Sequence, residues 1–244
     1  MKRIYVIGIG PGKKEGMTVE ALDALEASDI LCGYTVYVDL VKPLYPDKKV
    51  IATKMTKEIE RCHQALAAAV EGNTVAMLCS GDAGVFGMAG LIYQLSVEYE
   101  AVDIVPVAGV TAALSGGAIL GAPLTHDFAV ISLSDLLTPW ALIEKRLAAA
   151  GLGDFCTVLY NPASKKRADY LMKACTILMK EKSPDTVCGY ARNIGREGEA
   201  YKIMTLEELS HEKLDMFCTV FIGNSQTKII NGKMVTPRGY EKRM

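Results

Sequence analysis

The sequence predicts an α/β protein in which mostly parallel or mixed sheets are flanked by helices. Strand-like apolar runs alternate with helix-like segments along most of the chain, which is the pattern of parallel α/β folds. The length of 244 residues suits either one large domain or two domains of roughly 100 to 130 residues each. We therefore expect two α/β domains, an N-terminal one over residues 1–116 and a C-terminal one over residues 117–244.

Apolar runs bounded by turn residues predict the strands of this fold. In chain order they are Arg3 to Ile9, Thr74 to Cys79, Asp103 to Val107, Phe128 to Leu133, Phe155 to Tyr160, Val187 to Ala191 and Phe217 to Ile222. Helices are expected between them. Thr18 can cap the first helix, and later helices are predicted over Ile59 to Glu71, stopped by Gly72, and over Met88 to Tyr99.

Turn and cap signals punctuate the second half of the chain. In "TPWALIEKRLAAAGLG", Thr138 can cap a helix that Gly151 can end. The glycine-rich stretch from Gly116 to Pro123 indicates the domain junction. Asn231-Gly232 predicts a tight hairpin turn.

Composition and charge exclude several classes of protein. Half of the residues are hydrophobic and the net charge is −1, so no excess of basic residues attracts nucleic acid or an anionic membrane. The first apolar run breaks at Gly8, too early for a secretory signal or a membrane span. The seven cysteines form no CxxC pair, which favours buried free thiols over a metal site or disulfides. We expect a cytoplasmic protein that binds neither nucleic acid nor membrane.

The first glycine loop, "GIGPG", differs from a dinucleotide-binding fingerprint. A pyrophosphate needs free backbone N–H groups directly at a helix N-terminus. Here the third glycine is Gly12, Pro11 removes a donor, and the first good cap, Thr18, comes several residues later. The sequence therefore disfavours a phosphate cradle and leaves a simple strand-to-helix turn as an equal alternative.

Two further glycine-rich loops also follow predicted strands. "CSGDAGVFGMAG" carries Asp82 at its tip, and "VAGVTAALSGG" carries Thr111. Because the carboxyl ends of parallel strands meet at one edge of a sheet, the three loops are expected to converge there. An acidic residue, hydroxyl groups and small residues suit a nucleoside without a phosphate chain, such as S-adenosylmethionine.

The motifs taken together resemble one family from end to end. "GIGPG", "SGDAGVFGMAGL", "LGAPLTHDFAVISLSDLLTPW", "YNPASKKR", "ARNIGREGE" and "IGNS" are similar to the tetrapyrrole (corrin/porphyrin) methylases. The resemblance implies a homodimeric two-domain methyltransferase that binds S-adenosylmethionine in a cleft between the domains. Within the family it implies methylation of carbon 17 and contraction of the ring of a cobalamin precursor. The substrate would be cobalt-factor III, giving cobalt-precorrin-4, or metal-free precorrin-3B, giving precorrin-4, and cobalt would enter only as part of the substrate.

The resemblance also implies a set of residues that contact the methyl donor. They are Pro11, Ser80, Gly81, Asp82, Val85, Thr111, Ala112, Tyr160, Asn161 and Arg192. Asp82 would hold either the ribose hydroxyls or the amino-acid ammonium. This chain departs from the family in having Ala108-Gly109 where relatives usually carry Pro-Gly.

Catalytic candidates follow from the need to manage protons during ring contraction. They are Tyr34, Lys54, His126 and Asp127. In related uroporphyrinogen methylases an aspartate occupies the position of Tyr34, whose phenol is a poor base at its ordinary pKa. His126 is as well explained by a structural hydrogen bond as by a role towards the substrate.

The run Lys165-Lys166-Arg167 follows a strand end and can pair with the carboxylates of a corrinoid. We expect Lys166, Arg167 and Arg196 to bind substrate, although such a run is often only a solvated surface. Two alternatives stay open: a methylase that acts at another ring carbon or on an unrelated substrate, and a non-catalytic nucleotide-binding regulator.

Overall fold

The computed structural model describes residues 2–164 and 167–240 and has the predicted α/β fold. The chain divides into two compact units, one up to Ala112 and the other from Ala113 onward. The expected boundary after residue 116 lies inside a helix, α5 (Ala112–Leu120). A Cβ atom on Gly116 would lie 2.9 Å from both Ile194 Cδ1 and Phe221 Cζ, so this glycine allows close packing and does not mark a linker. The division into domains as numbered from the sequence stays a prediction.

The first unit is built on a five-stranded sheet in which every strand is parallel to its neighbours. Its strands are β1 (Arg3–Gly8), β2 (Ile30–Tyr34), β3 (Lys49–Thr53), β4 (Thr74–Cys79) and β5 (Asp103–Val107). They lie in the order β3-β2-β4-β1-β5. Its helices are α1 (Val19–Glu26), α2 (Thr35–Val41), α3 (Glu58–Val70) and α4 (Ala89–Ser96), with short 3-10 helices at Lys14–Gly16 and Lys42–Leu44.

Helices cover both faces of this sheet, which explains the near-continuous apolar character of its strands. Ile4 and Val6 of β1 pack on one face with residues of α3 and α4. Ile7 packs on the opposite face with residues of α1 and α2. Because the carboxyl ends of all five strands lie at one edge, the loops that follow β1, β4 and β5 meet there.

The second unit contains a mixed sheet with the order β10-β9-β11-β8-β7 and a small sheet with the order β12-β13-β6. Its strands are β6 (Gly121–Ala122), β7 (Phe128–Ser132), β8 (Cys156–Tyr160), β9 (Val187–Arg192), β10 (Ala200–Thr205), β11 (Cys218–Ile222), β12 (Lys228–Ile230) and β13 (Lys233–Val235). Strands β7 and β8 are parallel, and the other neighbours in the larger sheet are antiparallel. The helices after α5 are α6 (Trp140–Leu152), α7 (Tyr170–Leu178) and α8 (Leu206–Ser210).

Local signals were confirmed at some helix and strand ends and wrong at others. Thr18 caps α1 and accepts the Ala21 N–H at 3.1 Å. Asn231 and Gly232 form the predicted turn between β12 and β13, both with positive φ. In α6, however, Pro139 occupies the cap position without a side-chain cap, and the helix runs through Gly151 to Leu152.

The cysteines behave as predicted, since all seven are buried free thiols. No helix in the described part of the chain combines the length and apolar character needed to cross a bilayer.

Candidate functional site

Two glycine loops of the first unit are joined by backbone hydrogen bonds at the carboxyl edge of the sheet. The Gly10 N–H donates to the Gly81 carbonyl at 3.0 Å, and the Gly81 N–H donates to the Gly10 carbonyl at 2.9 Å. Both glycines have positive φ, a conformation that other residues adopt at a cost. Backbone hydrogen bonds therefore hold the loops after β1 and β4 together.

The loop after β5 packs against the same pair without room for a side chain. A Cβ atom on Gly109 would lie 2.2 Å from the Gly81 oxygen and 2.4 Å from the Gly8 oxygen. One on Gly8 would lie 2.7 Å from the Gly109 nitrogen. Such distances are impossible for a carbon atom, so glycine is required where the three backbones meet. We call the loops after β1, β4 and β5 the glycine junction (residues 8–12, 80–87 and 108–112).

Asp82 braces the glycine junction with its carboxylate. One oxygen, Oδ1, accepts the N–H groups of Gly84 at 2.7 Å and Val85 at 3.1 Å. The other, Oδ2, accepts the Gly109 N–H at 2.9 Å and so ties the loop after β4 to the loop after β5. Its hydrogen bonds to backbone give the carboxylate a supporting role, and its contact with a nucleoside or an amino acid stays a prediction.

The other predicted donor-binding residues of this unit also lie in the glycine junction. A Cβ atom on Gly81 would be 3.4 Å from Thr111 Cα and 3.6 Å from the Ala112 nitrogen, so these loops are in van der Waals contact. Pro11 packs against Gly16 in the first loop. The structure thus brings together Pro11, Ser80, Gly81, Asp82, Val85, Thr111 and Ala112.

The first loop is not a phosphate cradle on a helix N-terminus. A 3-10 helix, Lys14–Gly16, separates it from α1, and the Thr18 hydroxyl already accepts an N–H group in the first turn of α1. The same hydroxyl lies 3.2 Å from the Ala108 carbonyl, to which it can donate. The cap therefore also ties α1 to the loop after β5.

A cavity of about 180 Å³ lies beside the glycine junction, at the carboxyl ends of β2, β3 and β4. Its polar lining consists of Tyr34, Tyr37, Glu58, Arg61 and Ser80. Ser80 belongs to the loop after β4, so this cavity and the glycine junction share that loop. The sequence analysis missed Arg61, because an arginine inside an amphipathic helix gives no signal that it is buried.

Tyr34 and Lys54 differ in their relation to this cavity. Tyr34 ends β2, lines the cavity and makes an edge-on contact with Tyr37, the ring centroids being 5.2 Å apart. The Lys54 side chain is exposed and is not part of the cavity wall, although its carbonyl accepts a hydrogen bond from Arg61 at 3.2 Å. Of these two catalytic candidates, only Tyr34 lines the cavity.

In the second unit, the predicted donor contacts lie at the carboxyl ends of β8 and β9. The Tyr160 hydroxyl accepts the Ala113 N–H at 2.8 Å, in the first turn of α5. The Asn161 side chain donates to the Ser132 hydroxyl at 3.0 Å, and Arg192 forms an ion pair with Asp215 at 2.7 Å. Each of the three side chains thus has a protein partner, and their binding to the methyl donor stays a prediction.

His126 and Asp127 lie elsewhere in the same unit. They precede β7, and the Asp127 carbonyl accepts the N–H of Cys156, the first residue of β8. This is the end of β8 opposite to Tyr160, roughly 13 Å away along the strand. The imidazole Nδ1 of His126 is 3.1 Å from the Asp127 N–H, and both side chains are exposed. The structure therefore does not bring this pair together with Tyr160 and Asn161.

The three cationic side chains that were predicted to bind the substrate differ in their burial and in their partners. Lys166 lies outside the described residues. Arg167 is largely buried, donates to the Ser164 hydroxyl at 3.1 Å and approaches Asp135 at 3.6 Å. Its Nη1 atom is buried without a hydrogen-bond partner among the residues that the structure describes. Arg196 is half-buried in the turn after β9. Substrate binding by these residues stays a prediction.

Comparisons with known proteins agree with the fold. The profile of the "Tetrapyrrole (Corrin/Porphyrin) Methylases" matches residues 3–210. A probable cobalt-factor III C(17)-methyltransferase of Salmonella typhimurium is 47% identical over 97% of this chain and 99% of its own. The precorrin-3B C(17)-methyltransferase of a Sinorhizobium species is 37% identical over 97% of this chain and 96% of its own.

Among solved structures, the crystal structure of the methyltransferase CobJ superimposes with a TM-score of 0.89. It shares 33% identity, and the match covers 96% of this chain and 99% of CobJ. The profile match covers most of the chain, and the relatives match over nearly their whole length. This chain therefore belongs to the tetrapyrrole (corrin/porphyrin) methylase family.

Proposed function

We propose that this protein is an S-adenosylmethionine-dependent methyltransferase that methylates carbon 17 of a cobalamin precursor and drives contraction of its ring. The observation that carries the proposal is the 47% identity to a probable cobalt-factor III C(17)-methyltransferase over 99% of that relative's length. The preferred substrate is cobalt-factor III, converted to cobalt-precorrin-4, with cobalt as part of the substrate. The 37% identity to a precorrin-3B C(17)-methyltransferase makes metal-free precorrin-3B the second candidate.

The glycine junction is the proposed position of the methyl donor. S-adenosylmethionine supplies an activated methyl group, which an electron-rich ring carbon can take by in-line displacement. Such a reaction needs alignment more than a protein nucleophile. The junction suits this task because its loops are held by backbone hydrogen bonds and by the carboxylate of Asp82. A rigid surface of exposed backbone lets a flat nucleoside approach closely.

Tyr34 is the residue that we propose to act on the macrocycle. It lines the cavity next to the glycine junction, and its hydroxyl can donate or accept a hydrogen bond. Its role is that of a hydrogen-bond donor that orients a polar group of the substrate. A role in proton transfer for Lys54, His126 and Asp127 stays a prediction.

The direct test is anaerobic incubation with S-adenosylmethionine and either cobalt-factor III or precorrin-3B. We expect mass spectrometry to detect one added methyl group with cobalt-factor III, and the absorption spectrum to change as the ring contracts. Methylation of precorrin-3B alone would assign the protein to the metal-free substrate. Absence of methylation with both substrates, in a preparation that binds S-adenosylhomocysteine, would contradict the proposal.

The partner and the compartment are also proposals. We propose a cytoplasmic homodimer, as the family resemblance implies. Light scattering on the purified protein tests the homodimer, and a mass equal to that of a single chain would refute it.

A further inference from the structure

A buried arginine in the first unit is not explained by the proposed binding of the methyl donor. Arg61, on α3, is only 4% exposed and lines the cavity beside the glycine junction. Its Nε donates to the Thr53 hydroxyl at 2.8 Å, and its Nη2 donates to the Lys54 carbonyl at 3.2 Å. Both acceptors are neutral, and both lie at the end of β3. These two hydrogen bonds fix the plane of the guanidinium but do not compensate its charge.

No carboxylate within the described ranges forms an ion pair with Arg61, whereas Arg3, Arg167 and Arg192 each have one. Glu58 lies about one turn earlier on α3 and lines the same cavity. Its Oε1 accepts the Thr56 N–H at 3.2 Å, so the carboxylate is directed to the start of its own helix.

The thiols near Arg61 do not supply a negative charge either. Burial raises the pKa of Cys32 and of Cys62 to about 12 and that of Cys79 to about 11, even though Arg61 acts to lower all three. All three are therefore neutral near pH 7. A buried cation without an anion is unfavourable, and such sites usually have a counter-ion in the functional state of the protein.

The remaining nitrogen of the guanidinium, Nη1, is available to such an anion. It has no hydrogen-bond partner among residues 2–164 and 167–240, and it is not sealed from solvent as Nη1 of Arg167 is. The cavity that Arg61 lines has a volume of about 180 Å³, more than ten times the ~10–15 Å³ that a single water molecule requires. Tyr34 and Ser80 add hydroxyl groups to the same wall.

The cavity and the glycine junction share the loop after β4, from which Ser80, Phe86 and Gly87 line the cavity, but they extend in opposite directions along the sheet edge. In the order β3-β2-β4-β1-β5, the cavity lies over β3, β2 and β4, and the junction lies over β4, β1 and β5. A ligand that lies over β1 and β5 therefore leaves the part of the cavity over β3 and β2 for a second ligand placed next to it. In a methyl transfer the second ligand is the acceptor.

We propose that Arg61 binds a carboxylate of the tetrapyrrole substrate, which enters the cavity between Tyr34 and Ser80. The inference rests on the proposed function, because it takes a macrocycle with acidic side chains as the acceptor. A guanidinium held in a fixed plane by Thr53 and Lys54 suits a carboxylate, to which Nη1 can donate a charge-assisted hydrogen bond. The charge that is unpaired in the free protein is then neutralised in the complex.

The test compares four variants with the wild-type protein. Arg61→Met removes the charge at similar volume, and Arg61→Lys keeps a charge without the planar fork. Arg3→Met is the matched control, since Arg3 lies at the opposite end of β1 in an exposed ion pair with Asp103. Glu58→Gln tests whether the carboxylate of Glu58 compensates the charge of Arg61.

Binding is measured without turnover, by fluorescence titration with uroporphyrin as a polycarboxylate macrocycle and by calorimetry with S-adenosylhomocysteine. The KM for cobalt-factor III is measured in addition. Arg61→Met should weaken uroporphyrin binding and raise the KM by roughly 10- to 100-fold, as expected for a lost charge-assisted contact. Arg61→Lys should fall in between. Arg3→Met should change the affinity for uroporphyrin less than about twofold. Glu58→Gln should not weaken uroporphyrin binding, since it removes a negative charge from the cavity wall. The affinity for S-adenosylhomocysteine should change less than about twofold in every variant.

Several outcomes would overturn the proposal. They are an unchanged affinity of Arg61→Met for uroporphyrin, loss of S-adenosylhomocysteine binding alone, and equal losses in Glu58→Gln and Arg61→Met. Thermal unfolding of the ligand-free protein guards against a structural explanation. Arg61→Met removes an uncompensated charge but also two hydrogen bonds, so its melting temperature should stay within a few degrees of the wild-type value. A marked fall in melting temperature, with both ligands lost in parallel, would also overturn the proposal. If the wild type methylates neither substrate, the proposed function fails, but the uroporphyrin titration still tests Arg61.

Discussion

The two halves of one sheet edge in the first unit are built in different ways. Over β4, β1 and β5, three backbones touch, glycines fill every contact, and Asp82 accepts backbone N–H groups. Over β3, β2 and β4, side chains enclose a cavity, and one of them is a buried arginine. The first half suits a ligand that lies against peptide groups, and the second suits one that presents an acid. The same parallel sheet thus has two neighbouring regions with different chemistry at one edge.

The largest effect is expected at the centre of the glycine junction. Gly109→Ala places a carbon about 2.2 Å from the Gly81 oxygen, and that clash can be relieved only by separating the loops. Overpacking of this kind costs typically ~1–3 kcal/mol and sometimes more. We expect a loss of that size in the free energy of unfolding and at least a tenfold loss of affinity for S-adenosylhomocysteine, measured by urea unfolding and calorimetry.

Gly90→Ala is the matched control for this substitution. Gly90 lies on α4, and nothing is within 4 Å of the added carbon. In a helix the change should stabilise the protein by ~0.5–1 kcal/mol or leave it unchanged. If Gly109→Ala and Gly90→Ala have equal free energies of unfolding and equal affinities for S-adenosylhomocysteine, the close approach at Gly109 is needed neither for stability nor for binding.

The next largest effect is expected in the labelling rate of Cys79, which lines the cavity. Burial raises the pKa of Cys79 to about 11, so near pH 8 only about one thiol in a thousand is ionised. Because the thiolate is the reactive form, iodoacetamide should label Cys79 in the native protein roughly 100-fold more slowly than in denaturant. Peptide mass spectrometry over time measures this rate. Rapid native labelling would mean that the cavity wall is more open or more polar than the structure indicates.

A smaller effect is expected when Asp82, which braces the glycine junction, is replaced. Asp82→Asn keeps the shape of the side chain but leaves only one oxygen for the N–H groups of Gly84, Val85 and Gly109. Loss of hydrogen bonds to a charged acceptor should cost ~1–3 kcal/mol in unfolding free energy. The affinity for S-adenosylhomocysteine should fall about tenfold, whereas uroporphyrin binding should be unaffected. An unchanged affinity for the nucleoside would remove Asp82 from the site.

The smallest effects are expected in kcat/KM when the catalytic candidates Tyr34 and Lys54 are replaced. Tyr34→Phe keeps the ring contact with Tyr37 but removes the hydroxyl from the cavity wall, and kcat/KM should fall about tenfold. Lys54→Ala should change it less than about threefold, since its side chain is exposed and lies outside the cavity wall. Steady-state kinetics with cobalt-factor III compares them. A larger loss in Lys54→Ala would reverse their order.

The contrast between the halves also explains how much the sequence could predict. Glycines where backbones touch leave a clear signal after a strand, so the three loops around Gly10, Gly81 and Gly109 were predicted to converge. Arg61 left no such signal, because its burial depends on α3 packing over β3 and on a hydrogen bond to Thr53. Strand β3 itself was missed, since "KVIAT" is short and largely exposed at the edge of the sheet.

Other differences between the sequence-based predictions and the structure also arise from tertiary packing. Gly116 and Gly151 were taken for a junction and a helix stop, but both lie inside helices where neighbouring side chains come close. A glycine that is needed for tertiary packing has the same local sequence signature as one that breaks a helix. His126 and Asp127 were named as catalytic candidates because ring contraction needs proton transfers, whereas they lie at the other end of β8 from Tyr160.

The central claim is that the two halves of the sheet edge bind different ligands. Titration of Asp82→Asn and Arg61→Met with S-adenosylhomocysteine and uroporphyrin tests it most directly. We expect Asp82→Asn to lose affinity only for S-adenosylhomocysteine, and Arg61→Met only for uroporphyrin. If both variants lose the same ligand, or if each loses both, the two halves form a single site and the claim is wrong.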